Sequence, residues 1–283
     1  MNQQVTQSRY PNEPLFGVSV EPVADGIETM FTVAQIADEH QLDILAVQDH
    51  PYIPNYLDAW TLLVSLAAFT KHISVMPNVT NLPLRTPAIV AKAAATLSLL
   101  SGGRVELGIG AGYFADQIEA YGGPQRSTAE SFAAFEEAIS VMRALWGPDD
   151  SASYEGQHYH LRDAKPGPLP ANPIRIWAGA VGPRMLRLTG AAWDGWVPAN
   201  IIIPPDRIPE MQRRVDSGAH GAGRDTALVR RGYNILGIIT DAPETRYDNW
   251  LVTTPQGWVD TLVGYYSDLV WTLLSSGPRP QTQ

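Results

Sequence analysis

Eight short apolar runs, separated by stretches of helical periodicity, constrain this chain more than any other feature of its sequence. The runs are LFGVSV (15–20), DILAVQ (43–48), ISVMPNV (73–79), RVELGIG (104–110), PIRIWAG (173–179), DGWVPA (194–199), RGYNILGIIT (231–240) and SDLVWTLLS (267–275). Between them, residues 24–41 place Ile27, Met30, Phe31, Ala34, Ala37 and His40 three and four apart, the spacing of a helix face. Residues 57–70, 87–100, 127–146, 183–192, 205–219 and 255–266 also read as helices. Pro87 suits a first helical turn, and Ser101-Gly102-Gly103 suits a helix exit. Strands that alternate with helices form a parallel sheet. Eight such units in 283 residues predict a closed (β/α)8 barrel, which usually takes about 250. An open doubly wound sheet fits less well. The glycine-rich turn follows the fourth strand, whereas a dinucleotide fingerprint would follow the first.

The alternation breaks once. Residues 147–172 form a Pro/Gly-rich connection whose middle, ASYEGQHYHL, reads as a hairpin inserted between helix four and strand five. With no further composition shift and no repeat, the expected organisation is one domain over residues 1–283, with its insertion at about 147–172. The net charge of −9 argues against a nucleic-acid partner, which wants a basic face. The absence of cysteine removes thiolate metal sites and cysteine nucleophiles. The polar N-terminus lacks the apolar core of a signal peptide, and no run approaches the roughly 18 apolar residues of a membrane span. A cytoplasmic protein with no membrane partner is therefore expected.

In a barrel of this kind, chemistry gathers where the strands end. Asp49-His50 follows strand two. His50 is a candidate acid or base near neutral pH, with Asp49 orienting or charging it. Ala178 to Arg184 lead from strand five into a helix, so backbone N–H groups and the helix dipole can hold an anion, with Arg184 and Arg187 as further charge. The missing Lys-Ser/Thr pair excludes a nucleotide P-loop. In GIGAGYF, glycines at 108, 110 and 112 precede Tyr113 and Phe114. Close helix packing accounts for such glycines, but three of them followed by two aromatics favour a ligand lying flat against the backbone. His158 and His160, two apart, would share a strand face, yet no third ligand has a metal spacing, so no metal is expected. Ser131 and Ser140 lie in no nucleophile elbow. Trp60, Trp177, Trp193 and Trp196 read as core or pocket wall.

These motifs together resemble the luciferase-like monooxygenase superfamily, in its coenzyme F420-dependent oxidoreductase branch. The resemblance rests on LRTPAIVAKAAATLSLLSGGRVELGIGAGYFADQIEAYG, then RSTAESFAAFEEAISVMRALW, YEGQHYHL and PIRIWAGAVGPRMLRLTGAAWDGWV, and covers roughly residues 15–270. It implies a (β/α)8 TIM barrel with the hairpin insertion, and a flavin or deazaflavin across the barrel mouth. It implies cofactor contacts at Gly110, Ala111 and Gly112, and a phosphate site at Gly179, Ala180, Val181 and Gly182. It also implies a non-prolyl cis peptide at Asn78-Val79, under the ring. Asp49-His50 favours F420 over FMN, with hydride passing between deazaflavin C5 and a small apolar or cyclic substrate. His50 would handle the proton, with Asp49 tuning it, and Tyr52, Tyr113 and Phe114 would line the substrate slot. Tyr113 stands where sugar-phosphate dehydrogenases of the family carry glutamate, and a tryptophan they carry after Asp-His is absent near Pro54. Glucose 6-phosphate is therefore not the implied substrate. The alternatives are an FMN-dependent monooxygenase served by a separate flavin reductase, and a non-catalytic flavin-binding relative. Only SGPRPQTQ follows the last run, so the usual final helix is expected to be missing and a homodimer partner to cover that face.

Overall fold

The computed structural model describes residues 14–243, 249–268 and 272–276. In chain order its strands are β1 (Leu15–Val20), β2 (Ile44–Val47), β3 (Ser74–Pro77), β4 (Thr80–Asn81), β5 (Leu107–Gly110), β6 (Ala152–Glu155), β7 (His160–Ala164), β8 (Ile176–Ala178), β9 (Gly195–Trp196), β10 (Arg230–Ile239), β11 (Leu251–Thr253) and β12 (Thr272–Ser276). The α-helices are α1 (Ile27–Glu39), α2 (Ala59–Phe69), α3 (Pro87–Ser101), α4 (Ala115–Ala120), α5 (Thr128–Leu145), α6 (Pro183–Ala192), α7 (Ile208–Gly221) and α8 (Pro255–Asp268).

The main sheet runs β3-β2-β1-β12-β10-β9-β8-β5-β4, and all its pairings are parallel. Bonds from Val75 N to Arg104 O and from Glu106 N to Val75 O join β3 to the chain entering β5, and this closes the barrel. All eight predicted runs supply barrel strands. The run at 73–79 is broken by a cis peptide at Asn78-Val79, beyond which β4 pairs with β5. Helices fall where periodicity places them, with Pro87 in the first turn of α3 and a left-handed Gly102 ending it. The short α4 and the strand β11, which extends β10, were not foreseen from periodicity. The missing final helix concerns residues outside those described.

Strand alternation divides the interior into two cores. Leu45, Val47, Val75, Leu107 and Ile109 face the helices, in one cluster with Leu63, Ala94, Phe135 and Trp193. Ile44, Ala46, Met76, Trp177 and Val197 fill the barrel lumen. Phe135 on α5 stacks on Trp193, with ring centroids 4.2 Å apart. Trp177 Nε1 donates to the buried Glu106 carboxylate at 2.8 Å, which satisfies a polar atom inside the lumen.

The insertion is the expected antiparallel hairpin, β6 with β7. Its turn is held by Glu137 on α5, which accepts from the backbone N–H groups of Gln157, His158 and Tyr159 at 2.8–3.0 Å. His158 lies in that turn and His160 opens β7, so the two do not share a strand face. His160 Nε2 sits 3.1 Å from Glu155. Among the described residues, no three His, Cys, Asp or Glu side chains are grouped to hold a metal ion. No described helix is long and apolar enough to cross a membrane.

Candidate active site

The C-terminal ends of the barrel strands bring the predicted residues together around one strand-end peptide, Asn78-Val79. A Cβ on Gly108 would collide with the Pro77 carbonyl oxygen, and one on Gly110 would lie 2.8 Å from Val79 Cγ2. A Cβ on Gly179 would lie 3.1 Å from that same methyl. At Gly112, where φ is +92°, a Cβ would meet Pro83 and Ile118 at 2.7 and 2.8 Å. In the direction of a side chain, then, these glycines make room for the protein's own chain. What approaches them is chain: Val79 is wedged among three glycines, and Pro83 and Ile118 close over the fourth. Ala111 is partly buried against the core.

The arrangement of Asp49 also differs from expectation. Its carboxylate is buried and accepts from Arg85 Nε and Nη2 at 2.8 and 2.9 Å and from Asn81 N at 3.0 Å. The partner it orients is Arg85, not His50. Arg85 also binds Asp58, the N-cap of α2. Burial of Arg85 opposes its charge, but both carboxylates outweigh that and hold it firmly protonated. Burial of Asp58 likewise works against ionisation, but hydrogen bonds from Arg85 and Thr61 outweigh it and lower its pKa. Asp49 and Arg85 thus lock the loop after β2 onto the loop after β4.

His50 faces a different set of groups. Its Nδ1 lies 2.7 Å from the Tyr52 hydroxyl, and its ring lies edge-on to Phe114 at 5.8 Å. Tyr52 and Phe114 are 6.2 Å apart, and Phe114 contacts Tyr113 at 5.2 Å. Burial lowers the His50 pKa more than the Asp49 charge raises it, which favours the neutral imidazole. Burial, aided by Asp49 and opposed by a hydrogen bond from Asn81, pushes Tyr52 up to about 12.

Several small polar side chains near the strand ends carry buried atoms, and of these sequence reasoning named only Asn78. Ser19 Oγ, Asn78 Nδ2, Thr80 Oγ1, Asn81 Oδ1 and Asn234 Oδ1 are buried without a hydrogen-bond partner. Leu15 lines the lumen, so Ser19, four residues on, points the same way. Gly232 abuts Trp177 and Val197, so Asn234 points inward as well. Thr80, in register with the helix-facing Ile109, points the other way. Buried polar atoms are ordinarily paired, and inward-pointing orphans near the strand ends, such as Ser19 and Asn234, mark where a polar ligand edge would fit. Their signal in sequence was a polar residue at an inward position near the end of an apolar strand. Beside them, the β8 end leads to α6, whose N-cap Gly182 has open space where a Cβ would be and supplies no side-chain cap. Ala180 is buried, its carbonyl accepting from Trp196 Nε1 at 2.9 Å, and Val181 is exposed. Arg184 lies over the Phe132 ring at 4.3 Å.

The family model of luciferase-like monooxygenases matches residues 12–262. The chain belongs to the luciferase-like monooxygenase family. Within that family it is 36% identical over 200 residues to the phthiodiolone/phenolphthiodiolone dimycocerosates ketoreductase of Mycobacterium tuberculosis (strain ATCC 25618 / H37Rv), covering 69% of this chain and 51% of the relative. It is 34% identical over 224 residues to the F420-dependent glucose-6-phosphate dehydrogenase of Gordonia bronchialis, covering 77% of this chain and 66% of that one. The chain thus matches about half the length of the ketoreductase. Among solved structures, an F420-dependent secondary alcohol dehydrogenase in complex with an F420-acetone adduct superposes with a TM-score of 0.84 at 19% identity, covering 95% of each chain. The coenzyme F420-dependent tetrahydromethanopterin reductase of Methanopyrus kandleri gives 0.80 at 18%, also over 95% of each. At such identities the structural likeness speaks for the luciferase-like barrel fold.

Proposed function

We propose that this luciferase-like protein is an F420-dependent oxidoreductase that moves hydride between the deazaflavin and an apolar or cyclic carbonyl or alcohol substrate. The observation that carries the reading is the pair of inward-pointing, unpartnered buried polar atoms at the strand ends, Ser19 Oγ and Asn234 Oδ1, with the unpartnered Asn78 Nδ2 beside the cis peptide. Donors and acceptors from separate strand ends suit the alternating donor and acceptor edge of a flavin-type ring. The residues present therefore fit the cofactor. When bound, it supplies or accepts hydride at C5.

Ser19, Asn78 and Asn234 would hold the ring edge. Val79, backed by Gly108, Gly110 and Gly179, would support the ring from below. Gly179 to Gly182 and the first turn of α6 would take the phosphate, through backbone N–H groups and the helix dipole. His50 would handle the substrate proton. Asp49 enters indirectly, by fixing the loop that carries His50. Tyr113, Phe114, Val181, Ile201 and Ile202 are exposed at the strand-end loops, an apolar rim at the same mouth. A sugar phosphate would find Tyr113, 70% exposed, where a carboxylate would be needed. The same reading includes a cytoplasmic homodimer, supported by the exposed Val64, Phe69, Ile89, Leu99 and Leu100 on α2 and α3.

An anaerobic absorbance assay tests this function. Reduced F420 offered with apolar cyclic ketones, or F420 with the matching alcohols, should change its deazaflavin absorbance in step with substrate. Oxygen-dependent turnover with FMN and a flavin reductase, and none with F420, would instead assign a two-component monooxygenase.

A further inference from the structure

The hydrogen bonds around His50 determine which ring nitrogen carries its proton. The Tyr52 hydroxyl has one proton to give and two positions at which to accept. Its neighbours are His50 Nδ1 at 2.7 Å and the Asn81 side chain. Asn81 Oδ1 is buried without a partner, so the amide nitrogen is the atom that meets Tyr52, as a donor. Turning the amide over would bury an NH2 group with two unmatched donors in place of one carbonyl oxygen, a costlier arrangement. With Asn81 donating, His50 Nδ1 is the acceptor left for the Tyr52 proton among the described residues. Nδ1 is then the lone-pair nitrogen, and a neutral ring carries its hydrogen on Nε2. Nε2 has no protein partner among the described residues and is not sealed in the core.

We propose that Tyr52 is the positioning residue for His50: its hydroxyl donates to Nδ1, fixes the Nε2–H tautomer, and makes His50 a hydrogen-bond donor toward a carbonyl oxygen of the substrate. The substrate part of this inference rests on the proposed site at the barrel mouth. It narrows the substrate class to one that presents an acceptor-only oxygen, a ketone or aldehyde. A lone-pair Nε2 would instead suit an alcohol hydroxyl. Asp49, the adjacent acid that sequence points to as the orienting group, is already committed to Arg85. Tyr52 takes that place, and so has a role beyond lining the slot.

The test is a long-range proton–nitrogen NMR correlation on 15N-labelled cofactor-free protein at about pH 8, above the ordinary imidazole range. The His50 signals are assigned by their loss in His50→Gln. The expected result is a lone-pair Nδ1 and a protonated Nε2, changing to a mixed or reversed pattern in Tyr52→Phe. Carbonyl reduction by Tyr52→Phe should fall roughly tenfold in kcat with substrate KM little changed. A proton on Nδ1 in the wild-type protein overturns the proposal, and so does the same Nε2–H pattern in Tyr52→Phe. The wild-type spectrum decides the tautomer even where Tyr52→Phe does not fold. It needs no cofactor, so failure of F420 to bind would sink the proposed function without touching this result.

Discussion

Replacing His50 with alanine is expected to lower turnover by roughly 100- to 10,000-fold while F420 affinity stays nearly constant. The separation follows from where the groups lie. The residues proposed to hold the ring are Ser19, Asn78 and Asn234, together with the Val79 support, whereas His50 sits among Tyr52 and Phe114. Its loss leaves those ring contacts in place and removes the group that meets the substrate oxygen. Steady-state kinetics with a responsive substrate, beside an equilibrium titration of the variant, gives both numbers. Equal losses in cofactor affinity and turnover would place His50 in the binding site. Undiminished turnover would remove it from the chemistry.

The largest effect on stability is expected at Asp216. Arg231 on β10 is fully buried, and its guanidinium donates to Asp216 on α7 at 2.5 Å. Asp216→Ala takes that carboxylate away from the buried guanidinium. Breaking a buried pair in this way costs about 3–5 kcal/mol. For a chain of this length the melting temperature should fall on the order of 10 °C. Urea unfolding of Asp216→Ala, Arg231→Met and the double variant checks the account. The double variant should recover much of the loss, because the buried guanidinium is then removed together with its carboxylate. A loss in Asp216→Ala below about 1 kcal/mol would mean that other groups carry Arg231.

The barrel was legible because strand and helix periods alternate. The glycines were named from sequence, and Val79 and the Asn78-Val79 cis bond from the family resemblance, yet their relation was not. Sequence shows that a glycine leaves room, but only the fold shows that Val79 and Pro83 fill it. Asp49 illustrates the same limit. Its neighbour in the chain is His50, but its partner in space is Arg85, 36 residues away. Ser19 and Asn234 escaped notice because one polar residue in an apolar strand has no spacing signature. The run at 73–79 read as one strand, since nothing in residue type marks a cis bond that turns β3 into β4.

The central claim is that the barrel mouth is built for F420. The measurement that tests it most directly is an anaerobic titration of the purified cofactor-free protein with F420 and, in parallel, with FMN, followed by absorbance and fluorescence. The account predicts saturable F420 binding, clearly tighter than FMN, and weakened when the proposed ring contacts Ser19 and Asn234 are replaced by valine and leucine. Tighter binding of FMN, or no binding of F420, would contradict it.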